Sequence, residues 1–186
     1  MRKRDLAYGV LLAIVLVGAV RQGKDAKAVR LGATEPVFAD TVSIKPVAGT
    51  FAVPKPPAST AAKLAAALWS GPLTFVGFSL ALAGGVIPTY DPVRACWVAC
   101  NVGGPSAVLQ RRVNADAHTL GQVVLCRLQS PSAALLDHES AHVRQAERFG
   151  LAMPLAYGLF TAARGYANNP FEISARNFAA DRNTAR

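Results

Sequence analysis

Charged side chains are scarce in this chain. Asp, Glu, Lys and Arg make up 17% of its 186 residues, against 52% apolar residues, a balance poorer in charge and richer in apolar surface than a typical soluble domain. Lipid contact is the first expectation. Acidic residues are the scarcer sign, 11 against 20 bases, which leaves a net charge of +9. The bases are scattered rather than gathered in a stripe, and no nucleic-acid fold signature accompanies them, so nucleic acid is not an expected partner. Attraction to anionic lipid headgroups would use such an excess, and so would plain solubility and topology signalling.

Cysteine is limited to Cys96, Cys100 and Cys126. An odd number cannot pair off within the chain, and the spacing is not that of a disulfide scaffold. Two readings remain open: buried free thiols, or a Cys3His zinc site completed by His118, for which Cys-x-x-x-Cys is a weak signal. Internal repeats are absent. The length suits one domain with a real core plus attachments, not two large domains.

A clear A-x-A cleavage site is missing after the first apolar run. That run, Leu6 to Val20, follows Arg2, Lys3 and Arg4 and holds fifteen uncharged residues, short of the about 20 that cross a bilayer comfortably. Residues 1–20 read as a signal anchor or signal peptide, the uncleaved anchor being favoured. Residues 21–63 form a Pro/Ala-rich basic linker, seven bases against three acids, with a short strand expected near Thr41 to Ile44. Such a segment cannot bury enough surface to fold alone. Leu64 to Tyr90 is a stretch of 27 residues without a charge, with Trp69 near its start and Tyr90 at its end. Length and aromatic placement predict a transmembrane helix over 64–90, kinked or started at Gly71-Pro72. A buried helical hairpin in a soluble domain is the alternative.

Residues 91–186 are left for the folded domain. "ACWVACNV", "SAVLQRRV" and "HTLGQVVLCRL", separated by Gly103-Gly104-Pro105 and by Asn114 to Asp116, read as a short antiparallel sheet. Pro131 to Phe149, Leu151 to Ala163 and Pro170 to about Arg182 read as helices, which makes the fold class α+β.

Histidine is rare as well, three in the chain, yet two of them lie four positions apart in "LLDHESAHVRQ". Ser130-Pro131 and Gly150 punctuate a helix around that stretch. At about 100° per residue, His138, Glu139 and His142 share an arc with Leu135, Leu136, Val143, Ala146 and Phe149, while Asp137, Ser140, Arg144 and Gln145 turn to the other side. Burying a carboxylate without a partner costs several kcal/mol, so something must compensate Glu139. A divalent metal does so, because imidazoles at i and i+4 reach one ion. Zinc held there lowers the pKa of its water to about 7, and Glu139 can take the proton as a peptide bond is hydrolysed.

On these residues the chain resembles the zincin metallopeptidases. "HESAH" matches their H-E-x-x-H, and the resemblance implies His138 and His142 as ligands and Glu139 as general base. Asp137 departs from the uncharged residue usual before the first histidine; it either orients a ligand or faces solvent. The longer pattern "TLGQVVL…LLDHESAHVRQAERFG…PLAY…GYANNPFEISAR" resembles bacterial membrane-associated proteins of this type over about residues 64–180. A catalytic zinc needs a third protein ligand and an open position. No histidine follows His142, so Glu172 is the candidate, which makes the site gluzincin-like, with Asp181 a weaker substitute. The competing role for Glu172 is a capping box, since Asn169, Pro170 and Glu172 stand at N-cap, first and third helical positions.

For stabilising a developing oxyanion the neutral donors are Tyr166, Tyr157 and His118. The strand region His118 to Leu128 could take an extended substrate by β-augmentation, or simply pack in the core. The expectation is a membrane-anchored, small zincin-like domain that hydrolyses peptide or protein substrates through Zn2+ at a bacterial inner membrane. Its rivals are a non-catalytic accessory subunit of a larger membrane complex and a lipid-associated binding module that uses the cationic linker.

Overall fold

The computed structural model describes residues 52–185. The expected N-terminal anchor over 1–20 and the short strand near Thr41 to Ile44 lie outside the described residues. Within them the chain is α+β, with five helices and a four-stranded mixed sheet.

Helix α1, Thr60–Ala83, begins where the Ser59 side chain accepts a hydrogen bond from the Ala62 N–H, a standard N-cap that stabilises the first turn by about 1 kcal/mol. It is the one described helix long and apolar enough to cross a membrane. Pro72 lies inside it rather than at its start, and the chain turns after Ala83, so that Tyr90 sits in a strand. One narrow stripe of α1 is buried, Ala66, Ser70, Leu73, Gly77 and Ala81. Small residues at that spacing let the helix lie close to the sheet: a Cβ on Gly77 would fall 2.8 Å from the Val123 Cβ and 2.9 Å from the Leu120 carbonyl oxygen. The outward stripe stays bare, with Leu64, Leu68, Phe75 and Leu82 exposed.

Strands β1 (Thr89–Asp91) and β2 (Cys96–Ala99) form an antiparallel hairpin, and β3 (Ala117–Leu120) and β4 (Val123–Cys126) form another around Gly121, whose φ is +60°. The sheet order is β1-β2-β4-β3, with β2 and β4 parallel. A purely antiparallel sheet was expected; the difference traces to "SAVLQRRV", which is helix α2, Gly104–Val113, and not a strand. Pro105 in the first turn sets a helical φ, Asn114 closes the far end in the left-handed region, and the buried residues Ser106, Ala107, Gln110 and Val113 recur at helical spacing. With a helix there, β2 reaches β4 by a crossover, and a crossover is what parallel pairing requires.

Helix α3, Ala133–Phe149, is capped by Ser132, whose side chain accepts from the Leu135 N–H, two residues later than the expected Ser130. Gly150 ends it, its N–H donating to the Ala146 carbonyl. Helices α4 (Ala152–Arg164) and α5 (Pro170–Thr184) follow, the latter capped by Asn169.

The sheet lies between α1 and α3. Val123 and Leu125 of β4 pack with Ala81, Ala99 and Val102, while Val124 and Cys126 pack with Cys96, Leu135 and Val143. A third cluster, Leu73, Ala146, Met153 and Phe171, joins α1, α3, α4 and α5. Helix α3 is therefore enclosed on most sides: on the arc opposite the apolar one Asp137, Ser140, Arg144 and Gln145 are buried, Glu147 is half-buried and Arg148 is exposed. The polar side chains are tolerated there because they are paired. Arg94 Nε lies 2.8 Å from Asp137 Oδ1 and Arg182 Nε 3.5 Å from it, and Arg144 Nη1 lies 2.7 Å from Glu147 Oε2.

Candidate metal centre

Two elements make the site. His138 and His142 stand one turn apart on α3, and Glu172 stands in the first turn of α5, the helix most extensively packed against α3. All three are buried, and their potential ligand atoms lie within 4.8 Å of one another. The two Nε2 atoms are 3.2 Å apart; His138 Nε2 is 3.4 Å from Glu172 Oε2, and His142 Nε2 is 3.2 Å from Glu172 Oε1. Three donors each about 2.1 Å from one tetrahedral centre are separated by about 3.4 Å. The donor set thus fits a small divalent ion in both chemistry and spacing.

The choice between ligand and cap for Glu172 is decided by where hydrogen bonds go. In a capping box Glu172 would accept from the Asn169 N–H, but that N–H donates to the Tyr166 carbonyl at 3.2 Å. Asn169 caps the helix alone through Phe171, and the Glu172 carboxylate turns to the histidines. Asp181 lies on the exposed far end of α5, away from them.

Gln145 sets the imidazole of His142. Its Nε2 donates to the Phe171 carbonyl at 3.1 Å and to Ser174 Oγ at 2.9 Å, so its Oε1, 2.8 Å from His142 Nδ1, accepts. Nδ1 therefore carries a proton, and in the neutral ring the Nε2 lone pair faces the site, as a metal ligand requires. Spacing carried a signal for this residue, since Gln145 stands three positions after His142 on the same helix.

Charge couples the three groups tightly. Burial pushes His142 down, but the Glu172 and Glu139 carboxylates and the Gln145 contact outweigh it and raise the pKa to about 9. Burial pushes Glu172 up, yet the two histidines hold it well below the usual carboxylate range. Without an ion the cluster is a protonated imidazole paired with a carboxylate.

Glu139 follows His138 and faces the neighbouring cavity, its Oε2 accepting from Thr119 Oγ1 at 2.7 Å. Thr119 was not foreseen: it lies on β3, twenty residues away, with no local pattern to link them. Asp137 does not face solvent but joins Arg94 and Arg182, which ties the start of α3 to the β1–β2 turn and to the end of α5.

The three expected oxyanion donors are placed differently. Tyr157 donates its hydroxyl to Glu172 Oε1 at 2.6 Å, and Tyr166 hydrogen-bonds the same carboxylate. Burial first, then the Glu172 charge, raises both phenols well above 10, so both remain protonated donors. His118 belongs to β3, with Nδ1 3.0 Å from Gln110 Nε2, and burial pushes it down to about 4. The cysteines do not join it. Cys96 and Cys126 are buried free thiols in the core, Cys100 is partly buried, and His138, His142 and Glu172 form the metal-competent cluster found among the described residues.

A cavity of about 220 Å³ opens beside the triad, walled by α1, α2, β3, α3 and α4 and lined by His138, Glu139, His142 and Glu172 on one side. It is below the about 300 Å³ of a typical small-molecule pocket, room for one side chain with flanking backbone rather than a large cofactor. β3, one of the two outer strands of the sheet, forms one edge of it. Set beside known proteins, the chain matches no family model, no curated protein and no solved structure.

Proposed function

We propose that this chain is a membrane-associated zinc metallopeptidase of zincin type, with His138, His142 and Glu172 as ligands and Glu139 as general base. The convergence of two imidazole Nε2 atoms and one carboxylate at 3.2 to 3.4 Å carries the reading. Zinc supplies a Lewis acid and a water whose pKa falls to about 7. The protein's own groups do the rest. Gln145 keeps His142 Nε2 free to bind, Tyr157 and Tyr166 hold the Glu172 carboxylate in place, and Thr119 holds Glu139 Oε2 where the other carboxylate oxygen can take a proton from the attacking water and pass it to the leaving amine. The cavity beside them takes the peptide substrate.

Membrane association rests on the bare outer faces of α1 and α4, where Leu64, Leu68, Phe75, Leu155 and Leu159 are exposed. Apolar helix faces of this kind bury in a bilayer or at its headgroup boundary, where the cationic chain meets anionic lipid, and a bacterial inner membrane provides both.

A second reading has its own support. The His142–Glu172 pair satisfies itself without an ion, as a non-catalytic accessory subunit of a membrane complex would need. Metal content and activity separate the two. The peptidase is expected to purify from bacterial membranes with one equivalent of zinc, to lose it on His138→Ala, and to keep the zinc but lose hydrolysis of a peptide library on Glu139→Gln. Protein purified without zinc and unable to take it up would overturn the metal reading; zinc with hydrolysis unchanged in Glu139→Gln would overturn the base.

A further inference from the structure

Gln110 is fully buried on α2 and makes two contacts through one atom. Its Nε2 lies 2.7 Å from the Leu125 carbonyl oxygen and 3.0 Å from His118 Nδ1. The carbonyl can only accept, so the amide nitrogen must face it, and that orientation gives His118 Nδ1 a donor. Nδ1 is then the acceptor and the proton of the neutral ring sits on Nε2. Sheet and helix together choose this tautomer: Leu125 belongs to β4, opposite His118 of β3.

The Nε2–H so created is buried and has no hydrogen-bond partner among the described residues. A buried donor left in that state is destabilising. His118 lines the cavity that also contains Glu139 and the metal triad. The hydroxyls of Tyr157 and Tyr166, on the same cavity, are already spent on Glu172. Leu73, Leu109, Val113, Ala117 and Met153 contribute apolar wall to this cavity, beside the neutral Asn114 and Thr119. Burial keeps the ring neutral at physiological pH, so it offers a dipolar donor and no charge. The complement of such a site is a neutral acceptor on an apolar body.

We propose that His118 contacts substrate, its Nε2–H donating to a carbonyl oxygen of a peptide whose adjoining side chain is large and apolar, and that Gln110 is the positioning residue that sets its tautomer. The inference rests on the cavity being the substrate site, but not on the metal. Specificity follows from the same arrangement: an acidic side chain entering these apolar walls would lose its hydration.

Histidine-selective 15N NMR on the full-length, metal-free protein tests this, with blocked tripeptides acetyl-Ala-X-Ala-amide in which X is Leu, Phe or Asp. The free protein is expected to show His118 as the Nε2–H tautomer. The Leu and Phe peptides shift that resonance and bind at least about tenfold more tightly than the Asp peptide. His118→Phe, which keeps the apolar wall and removes the donor, weakens the Leu peptide about tenfold. Gln110→Met mixes the tautomers and weakens binding by a similar factor; a merely structural Gln110 would lower the melting temperature and leave the tautomer unchanged. An Nδ1–H ring in the free protein, a resonance that no peptide moves, equal binding of all three peptides, or full affinity in His118→Phe would each overturn the proposal. If Gln110→Met fails to fold, the tautomer and His118→Phe results decide. Zinc uptake by the unaltered protein is measured separately: a His118 response to peptide without zinc uptake overturns the metal reading alone, and zinc uptake without that response overturns this one.

Discussion

Gln145 offers the sharpest separation between holding the fold and tuning a metal. It is buried, donates to Phe171 and Ser174 across the α3–α5 contact, and accepts from His142 Nδ1. Gln145→Leu removes all three contacts at similar volume. Losing the acceptor behind a ligating imidazole costs about 10- to 100-fold in metal affinity, or about 1.4–2.8 kcal/mol at 1.4 kcal/mol per tenfold. Leaving the Phe171 carbonyl unpaired costs about 1–3 kcal/mol more in folding stability, which for a chain of this size lowers the melting temperature by about 2–4 °C per kcal/mol. Gln145→Glu loses the donors to Phe171 and Ser174 but keeps an oxygen for His142 Nδ1–H. It is expected to melt as low as Gln145→Leu and yet to hold zinc within about threefold of the unaltered protein. The assay is zinc titration against a competing chelator at pH 7.5, paired with thermal melts of the metal-free forms. Equal zinc affinity in Gln145→Leu and unaltered protein, or an equal loss of zinc affinity in both variants, would refute the argument from the His142 tautomer.

Two further outcomes follow from the same geometry. In metal-free protein, His142 titrates at about 9 against 6.5 when unfolded, so its contribution to stability is fully present below pH 6.5 and is lost as pH rises through 9. Glu172, held well below 4.5, contributes above pH 4.5 and loses that contribution as pH falls through its folded value. Melting temperature should therefore be highest between these limits, and a flat profile from pH 6 to 9 would exclude the pairing. Gly121→Ala is expected to destabilise by about 2–4 kcal/mol, since Gly121 has φ +60° and an added Cβ would lie 2.3 Å from the Thr74 backbone nitrogen. Circular-dichroism melts check it; a loss under about 0.5 kcal/mol would mean that α1 does not pack on the β3–β4 turn.

Helices α3, α4 and α5 were legible because local signals lie near their ends: Ser130-Pro131, read as the start of α3, stands two residues from the Ser132 cap, and Gly150, Asn169 and Pro170 each act within a turn of their own position. α2 was misread for the converse reason. Gly103-Gly104-Pro105 serves equally as a turn between strands and as a helix start, and ten residues are too few for apolar periodicity to decide between them. The arc drawn around α3 separated His138, Glu139 and His142 from Asp137 and Arg144 as directions on a cylinder, but it put Gln145 on the wrong side, since that side chain meets His142 and the helix that carries Glu172. It could not tell which directions meet water, because that depends on what packs outside. α3 is surrounded, so its charged side chains answer to Arg94, Arg182 and Glu147 instead of to solvent.

The opening of α5 shows where sequence stops. Asn169, Pro170 and Glu172 announce a helix start by themselves, since capping is a matter of bonds within four residues. Whether Glu172 turns back to its own N-terminus or across to His138 and His142 is a competition between a local hydrogen bond and a distant charge. Only the packing of α5 on α3, and the Tyr166 carbonyl taking the Asn169 N–H, decides it. The H-E-x-x-H spacing on one helix was determined by the sequence because 3.6 residues per turn brings i and i+4 together wherever the helix lies. The third corner of the triad, the Thr119 contact to Glu139 and the Gln110-set ring of His118 were decided by the tertiary structure, because each joins elements that meet only when the sheet and helices have packed.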